Sequence, residues 1–212
     1  MRVVITGGPS SEPIDEVRVL TNTSTGELAI TLYEQFIAAG HQVELLLGRG
    51  AVCRRPEAQA FTRNEDLESL LQGIARRQEV GLVLHAAALS DFSVRAVDSH
   101  QRPAALGKLP SGQQGWSLVL EPKPKVIARL RNLFPVSRLI GWKLEQDGNP
   151  EAVLAKAQRQ ITEHHLNGCV VNGRAYGPGF GVCTGAGLIH HADSKAGLAR
   201  FLVATTDLSY RQ

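Results

Sequence analysis

Cysteine is scarce in this sequence, which has three cysteines among 212 residues, and no two of them have CxxC spacing. An odd number without paired spacing argues against a disulfide framework and against a cysteine-based zinc site. The sequence also lacks any apolar run near the roughly 18 residues of a membrane-spanning helix, and we see no signal peptide ahead of its first apolar strand. We therefore expect a protein of the reducing cytoplasm with no membrane partner.

Long runs of one charge are missing as well. The formal net charge is +3, and no stretch carries five or more like charges, so no nucleic-acid partner is expected and an anionic small molecule fits the mild basicity. Internal repeats, low-complexity tracts and Pro/Ser-rich linkers are also absent. We therefore expect residues 1–212 to form a single domain.

The sequence does contain a repeated alternation of strand-like and helix-like segments. It opens with an apolar strand that breaks at Thr6-Gly7-Gly8, followed by a loop, a helix from about residue 25 to 39 and a strand at 43–47. This pattern predicts an α/β, Rossmann-like fold with a mostly parallel sheet and helices on both faces. Residues 93–114 lose the apolar pattern, so we predict a flap or loop region there, and residues 173–187 are predicted as a glycine-rich loop.

The first strand-to-helix connection lacks the dinucleotide fingerprint Gly-x-Gly-x-x-Gly, because Gly7-Gly8 is followed by no suitable glycine until Gly26. This spacing makes an NAD(P) oxidoreductase the least favoured function. The connection is also far longer than the usual range of about 2 to 6 residues. We interpret it as an anion site, in which Gly7-Gly8 admits a phosphate, and Arg18, the polar residues 22–24 and the helix N-terminus add donors to further anionic groups. A surface excursion or a dimer contact is the alternative interpretation.

Several blocks of this sequence resemble the phosphopantothenoylcysteine synthetase family, also called phosphopantothenate-cysteine ligase. They are, in the family's order, Thr6-Gly7-Gly8, Glu12-Pro13-Ile14-Asp15, Val17-Arg18, Asn22-Thr23-Ser24-Thr25-Gly26 and, later, Ala87-Ala88-Leu89-Ser90-Asp91-Phe92. The resemblance implies a Rossmann-like homodimer of coenzyme A biosynthesis. Such an enzyme uses CTP or ATP, with Mg²⁺, to activate the carboxylate of 4′-phosphopantothenate, and cysteine then attacks the acyl-nucleotide. It also implies a flavin-dependent decarboxylase partner, which we expect to be a separate polypeptide or a preceding domain outside this sequence.

The same resemblance implies roles for individual residues. Asn22 would hold the reacting acyl group, Thr23 would help to bind the acid, and Arg18 would position the anionic substrate or the loop itself. Lys108 would be the flap lysine whose charge stabilises the leaving pyrophosphate or the acyl intermediate, which makes Asn22, Arg18 and Lys108 the implied catalytic set. No residue is predicted to be a metal ligand. The implied nucleotide contacts are Gly7, Gly8, Ser24, Ala88, Asp91, Phe92, Lys123 and Trp142.

The sequence also departs from the family pattern. It has one flap lysine where the family has three, it keeps only Lys123 and Pro124 of a Lys-Asn-Pro-Asp block, and it has Val171-Asn172-Gly173 in place of Ala-Asn-Asp. These departures leave two alternatives open. One is a divergent relative that ligates a different carboxylate, and the other is a non-catalytic, regulatory nucleotide-binding module.

Overall fold

The computed structural model describes residues 1–77, 79–97, 108–109 and 115–209. In chain order the strands are β1 Arg2–Gly7, β2 Ser11–Pro13, β3 Val19–Thr21, β4 Gln42–Gly48, β5 Gln59–Phe61, β6 Leu82–His85, β7 Phe92–Val97, β8 Ser117–Pro122, β9 Arg138–Leu144, β10 Gly168–Asn172, β11 Phe180–Thr184 and β12 Gly187–Ala192. The helices are α1 Glu27–Ala38, α2 Asn64–Arg77, α3 Leu130–Leu133, α4 Pro150–Glu163 and α5 Lys195–Ser209. A 3-10 helix, Val126–Arg129, directly precedes α3.

One large sheet organises the part of the chain that the structure describes. Its strand order is β12-β11-β10-β9-β6-β1-β4-β5. The strands from β10 to β5 run parallel, whereas β11 and β12 are antiparallel and form one edge. This confirms the predicted α/β class with a mostly parallel sheet.

Helices cover both faces of this sheet because its central strands are apolar on both sides. On β1, Val3 and Ile5 pack with α1 and α5, while Val4 between them packs with α2 and α4 on the opposite face. A period of two therefore divides one continuous apolar run between two cores. Each large buried aliphatic side chain contributes about 1.5–3 kcal/mol relative to exposure, so both layers stabilise the sheet.

The sheet has its topological switch point between β1 and β6. From β1 the chain continues through α1 to β4 and β5 on one side, and from β6 it proceeds to β9 and β10 on the other. The loops that follow β1 and β6 are joined across this point, since the Ala88 amide donates to the Gly8 carbonyl at 2.9 Å and the Ser10 amide donates to the Ala88 carbonyl at 3.2 Å. Open α/β sheets place their ligands in the crevice at such a point.

Three regions predicted as loops contain strands instead. The connection between residues 7 and 24 includes the β2–β3 hairpin, and the glycine-rich region 173–187 contains β11. The predicted flap region begins with β7, which pairs with β8, so the prediction of irregular structure is wrong for residues 93–97. The alternation of Val94 and Ala96 with polar neighbours is a strand pattern that the high content of polar residues further along obscured. Residues 98–107 and 110–114 of the predicted flap lie outside the described residues.

Two cysteines belong to the apolar core. Cys169 on β10 lies opposite Cys183 on β11, and both are buried free thiols. Burial, with a smaller effect of the neighbouring Cys183, raises the pKa of Cys169 to about 12. Both residues therefore act as small apolar side chains. No helix in the described ranges is long and apolar enough to cross a bilayer.

Candidate active site

A cleft of about 830 Å³ opens at the carboxyl ends of the central strands. Its walls come from the end of β1, the start of α1, the loop after β6, the end of β9 and one side of α4. Eight of the predicted site residues line it: Gly7, Gly8, Asn22, Thr23, Ser24, Ala88, Asp91 and Trp142. Residues that are more than a hundred positions apart thus meet at the switch point.

The start of α1 faces this cleft. The helix begins at Glu27, two residues later than predicted, after Gly26, whose φ of 79° is in the left-handed region that favours glycine. Gly26 is the N-cap residue and has no side chain to bond to the first turn, although the Glu27 amide donates to Thr25 Oγ1 at 3.3 Å. Amide groups of the first turn are therefore open to an anionic ligand, whose charge the helix dipole favours.

A carboxylate stands beside this helix terminus, and a lysine compensates it. Glu27 Oε2 lies 2.5 Å from Lys195 Nζ at the start of α5, and both residues line the cleft. Without Lys195, the Glu27 charge would oppose an incoming anion at the same terminus. Lys195 is a functional candidate that the sequence reasoning missed, because its neighbour in space is 168 residues away in the chain.

Asn22 links the two loops that border the cleft. Its Nδ2 donates to the carbonyl oxygens of Ala88 and Leu89 at 2.9 and 3.1 Å. Because both acceptors are carbonyl oxygens, they fix the orientation of the amide, and Oδ1 is the atom that a donor on a ligand could reach without displacing these bonds. The predicted role of Asn22 in holding an acyl group stays a prediction.

Arg18 and Lys108 do not line the cleft in the described structure. Arg18 Nη2 donates to the Leu109 carbonyl at 3.3 Å, and Arg18 Nη1 lies 3.4 Å from Asp15 Oδ2. Lys108 is exposed and directly precedes Leu109. Arg18 and the segment that carries Lys108 therefore lie side by side. Two roles were predicted for Arg18, and its contacts here are those of a residue that positions the loop.

The remaining predicted nucleotide contacts have mixed placements. The Asp91 carboxylate is 3.4 Å from Lys125 Nζ at the mouth of the cleft, whereas Phe92 is outside the cleft lining on β7, with 41% of its surface exposed. Trp142 lines the cleft, and its Nε1 is buried without a hydrogen-bond partner in the described parts of the chain. Buried polar groups are normally paired, so this N–H is a candidate donor to a ligand.

Lys123 is paired with two carboxylates in the described structure. Its Nζ lies 2.6 Å from Glu12 Oε1 and 2.7 Å from Glu65 Oε1, and it is not part of the cleft lining. Burial alone would lower the pKa of Lys123, but the hydrogen bonds with Glu12 and Glu65 outweigh it and raise this pKa. In the described structure, Lys123 therefore joins β2 to the N-terminus of α2, and a nucleotide contact stays a prediction.

Replacement of Lys123 by methionine is expected to lower the free energy of unfolding by about 3 kcal/mol, because Glu12 would stay buried without its counter-charge. The pKa of Lys123 is raised above the value of 10.5, so the pair stabilises the fold below that pH and the contribution is lost as pH rises through the folded pKa. Urea denaturation at neutral and alkaline pH measures both effects. A second variant, Lys123→Met with Glu12→Leu, should regain most of the loss, and equal instability of the two variants would contradict the ion-pair explanation.

A group of cations on the α4 side of the cleft was also missed from the sequence. Lys156 Nζ lies 2.5 Å from Glu145 Oε2, and Lys143 Nζ lies 3.5 Å from Glu145 Oε1. Burial would raise the pKa of Glu145, but the bonds with these lysines outweigh it and lower the pKa. Arg159 lines the same wall. Lys156 and Arg159 lie on α4 and belong to no sequence motif, whereas Lys143 and Glu145 lie at and just after the end of β9.

His85 forms part of the floor of the cleft, and the sequence reasoning did not identify it. Its Nδ1 lies 3.0 Å from Thr6 Oγ1 on the neighbouring strand β1. Burial lowers the pKa of His85 to about 4, so the imidazole is neutral at physiological pH. The floor of the cleft is thus uncharged, while its walls carry the lysines and carboxylates.

Comparison with known proteins gives matches over nearly the whole chain. Residues 1–201 match the DNA/pantothenate metabolism flavoprotein C-terminal domain family. The chain is 29% identical over 175 residues to the coenzyme A biosynthesis bifunctional protein CoaBC of Methanocaldococcus jannaschii, and 33% identical over 163 residues to the protein of that name from Thermococcus kodakarensis. These alignments include 81% and 76% of this chain but 40% and 38% of the relatives, so the chain spans about two fifths of the length of the curated relatives it matches.

Two solved structures have the same fold. The DNA/pantothenate metabolism flavoprotein of Streptococcus pneumoniae superimposes with a TM-score of 0.84 at 23% identity, covering 99% of both chains. A Cab2 variant in complex with phosphopantothenate-cysteine superimposes with a TM-score of 0.73 at 19% identity, covering 98% of this chain and 86% of that one. At these identities the likeness establishes the fold.

Proposed function

Because this chain belongs to the DNA/pantothenate metabolism flavoprotein C-terminal domain family, we propose that it is a ligase of coenzyme A biosynthesis that joins 4′-phosphopantothenate to cysteine. The observation that carries this proposal is the meeting of an open helix N-terminus with Asn22 and the loop after β6 in one cleft. The names of the bifunctional relatives and the product bound to the Cab2 variant support the choice of substrates.

The proposed reaction has two steps. The carboxylate oxygen of 4′-phosphopantothenate attacks the α-phosphorus of CTP or ATP, and the bond to pyrophosphate breaks. The cysteine amine then attacks the acyl carbonyl, loses a proton and expels the nucleoside monophosphate as the amide bond forms. Both steps bring anions together, so cations and oriented amides are the groups that the reaction needs.

The cleft residues suit the parts of this reaction. The phosphates would lie at Gly7, Gly8 and Ser24 by the start of α1, the base would pack on Trp142, and Asp91 would contact the ribose or base. Asn22 and Thr23 would hold the acyl group of the acid. The lysines around Glu145, together with Lys195, provide positive charge near the site of pyrophosphate departure.

Magnesium is proposed as the accompanying metal. In the described ranges no group of three His, Cys, Asp or Glu side chains is arranged to hold a metal ion. The carboxylate of Glu27 lines the cleft by the start of α1, and Mg²⁺ commonly binds one or two carboxylates together with substrate phosphates. Bound in this way, Mg²⁺ would screen the charge of the phosphates.

We further propose a homodimer that uses the two hairpins. The β2–β3 and β7–β8 hairpins expose apolar side chains, including Val19 at 54% and Leu120 at 46%, and β2 contacts β7. Adjacent exposed apolar surfaces of this kind are typical of interfaces. Sedimentation should give a mass of about twice the 22.9 kDa of one chain, and Val19→Glu should give a monomer. The control Val136→Glu changes a valine that is 78% exposed elsewhere, and monomer formation by this control, or a monomeric parent protein, would contradict the proposal.

The ligase proposal is tested by product formation. The protein is incubated with Mg²⁺, 4′-phosphopantothenate and CTP or ATP, and pyrophosphate release is followed with and without cysteine. We expect release with one of the nucleotides and an amide product once cysteine is added. Nucleotide binding without consumption would indicate the non-catalytic module, and consumption only with another carboxylate would indicate the divergent ligase. The ligase assignment fails if NADPH binds far better than either nucleotide.

A flavin-dependent decarboxylase, as a separate chain or a neighbouring domain, is the proposed consumer of the product.

A further inference from the structure

We propose that Asp15 is a positioning residue that holds Arg18 and the Lys108–Leu109 segment together, and so places Lys108 for catalysis. The inference rests on the ligase function proposed above. It assigns a role to a carboxylate that lies outside the cleft lining and that the sequence reasoning used only as part of a family motif.

The Asp15 carboxylate makes two kinds of contact, one with each oxygen. Oδ1 accepts the backbone amides of Val17 and Arg18 at 2.9 and 2.7 Å, which closes a turn within the first loop. Oδ2 accepts the backbone amide of Leu109 at 3.0 Å and lies 3.4 Å from Arg18 Nη1. The side chain is 1% exposed, so water is a poor substitute for these partners. One oxygen therefore shapes the local loop, while the other binds a segment 94 residues away.

The Leu109 backbone is held at both of its polar groups. Its amide donates to Asp15, and its carbonyl accepts from Arg18 Nη2 at 3.3 Å. The residue as a whole is 3% exposed and is part of the buried apolar set. Two hydrogen bonds and a buried side chain fix the position of this residue. Lys108 is bonded directly to it, so the origin of the Lys108 side chain is fixed as well.

Charge favours this arrangement. The hydrogen bond from the Leu109 amide lowers the pKa of Asp15 most, burial acts in the opposite direction, and the amides of Val17 and Arg18 lower it further. Asp15 is therefore ionised at neutral pH. As a carboxylate it only accepts hydrogen bonds, which suits contacts that are all donors. Arg18 then has its guanidinium aligned by Asp15 while it donates to Leu109, and this links the two predicted catalytic cations.

Replacement of Asp15 by asparagine separates the two kinds of contact. The asparagine oxygen can keep the amides of Val17 and Arg18, but its NH₂ group would face the Leu109 amide and the Arg18 guanidinium, both of which are donors. The turn should therefore persist while the link to Leu109 is lost. Asp66→Asn is the matched control, because Asp66 accepts the amides of Thr62 and Arg63 in a turn through a single oxygen.

The test is a double-mutant cycle on pyrophosphate release. We expect Asp15→Asn to reduce kcat by roughly 10- to 100-fold, since a misplacement of about 1 Å can cost as much as about 100-fold. In a Lys108→Ala background the same change should cost less than about twofold, because Asp15 and Arg18 both act by placing Lys108, and that side chain is then absent. Asp66→Asn should leave kcat unchanged. Equal losses in both backgrounds, or no loss in either, would overturn the proposal.

Hydrogen exchange at the Leu109 amide provides a second readout that does not depend on turnover. The amide should be protected in the parent protein and in Asp66→Asn, and exposed to exchange in Asp15→Asn. An unprotected amide in the parent protein overturns the positioning role by itself. A protected amide in a protein that forms no product overturns the ligase function, and with it the catalytic purpose of the contact.

Discussion

Replacement of Asn22 by aspartate is expected to reduce ligase turnover on the order of 1,000-fold, the upper range for loss of one preorganised polar group near a reacting centre. Two effects act together. The change removes the amide hydrogens that now bind the carbonyl oxygens of Ala88 and Leu89 at 2.9 and 3.1 Å. It also places a negative charge beside those oxygens and in the path of an anionic substrate.

Asn22→Asp is more informative than removal of the whole side chain. Asn22→Asp conserves shape, so a loss of activity reports charge and hydrogen bonding and not a cavity. Because Asn22 is exposed and lies outside both apolar cores, the midpoint of urea denaturation should change little while the two loops separate locally. Pyrophosphate release and denaturation, measured on the same preparation, distinguish these effects.

A matched control is available on α4. Asn149 accepts the Ala152 amide at 2.9 Å as the N-cap of that helix, and aspartate serves equally well at this position. Asn149→Asp should therefore retain both activity and stability. Product formation by Asn22→Asp within about tenfold of the parent rate would remove the acyl-holding role proposed for Asn22.

Local sequence patterns were sufficient for the central layers of the fold. The apolar run at β1 and the helix that follows it depend on residues close together in sequence, so periodicity predicted both. The hairpins were not predicted, because β7 and β8 are separated in sequence by residues 98–116 and neither strand is part of the main sheet. Short strands with one exposed face carry little apolar signal of their own.

The candidate site was predictable only where its residues form a motif. Asn22, Ser24 and Asp91 belong to short blocks of sequence, and the structure places them in one cleft. Lys195 and Lys156 belong to no block, since each is defined by a carboxylate partner on another element. Lys123 does belong to a motif, and the motif suggested a nucleotide contact. Its nearest charged groups in the structure are the carboxylates of Glu12 and Glu65, which no local pattern indicates.

Gly7 ends β1, packs against α1 and lines the cleft. We expect Gly7→Ala to lower the free energy of unfolding by about 3 kcal/mol or more. A Cβ atom at this position would lie 2.1 Å from the Ala29 Cβ, far inside the contact distance of about 3.5–4.0 Å. The strand and helix would have to separate, and this would move the start of α1 away from the proposed phosphate site. Urea denaturation measures the loss, and Gly73→Ala is the control, because a Cβ there meets no atom within 4 Å and should stabilise α2 by about 0.5–1 kcal/mol.

The explanation for Gly7 predicts its own suppressor. Ala29→Gly removes the methyl group with which the new Cβ collides, at a cost of about 1 kcal/mol for glycine within a helix. If the collision accounts for the loss, the variant with both changes should be more stable than Gly7→Ala by about 1–2 kcal/mol, although each change alone is destabilising. Simple addition of the two losses would contradict close packing as the reason for glycine. A double variant that regains stability without regaining nucleotide binding would give a second result. In that case Gly7 is also required for the approach of a phosphate to the backbone, as predicted from the sequence, and one experiment separates its two roles.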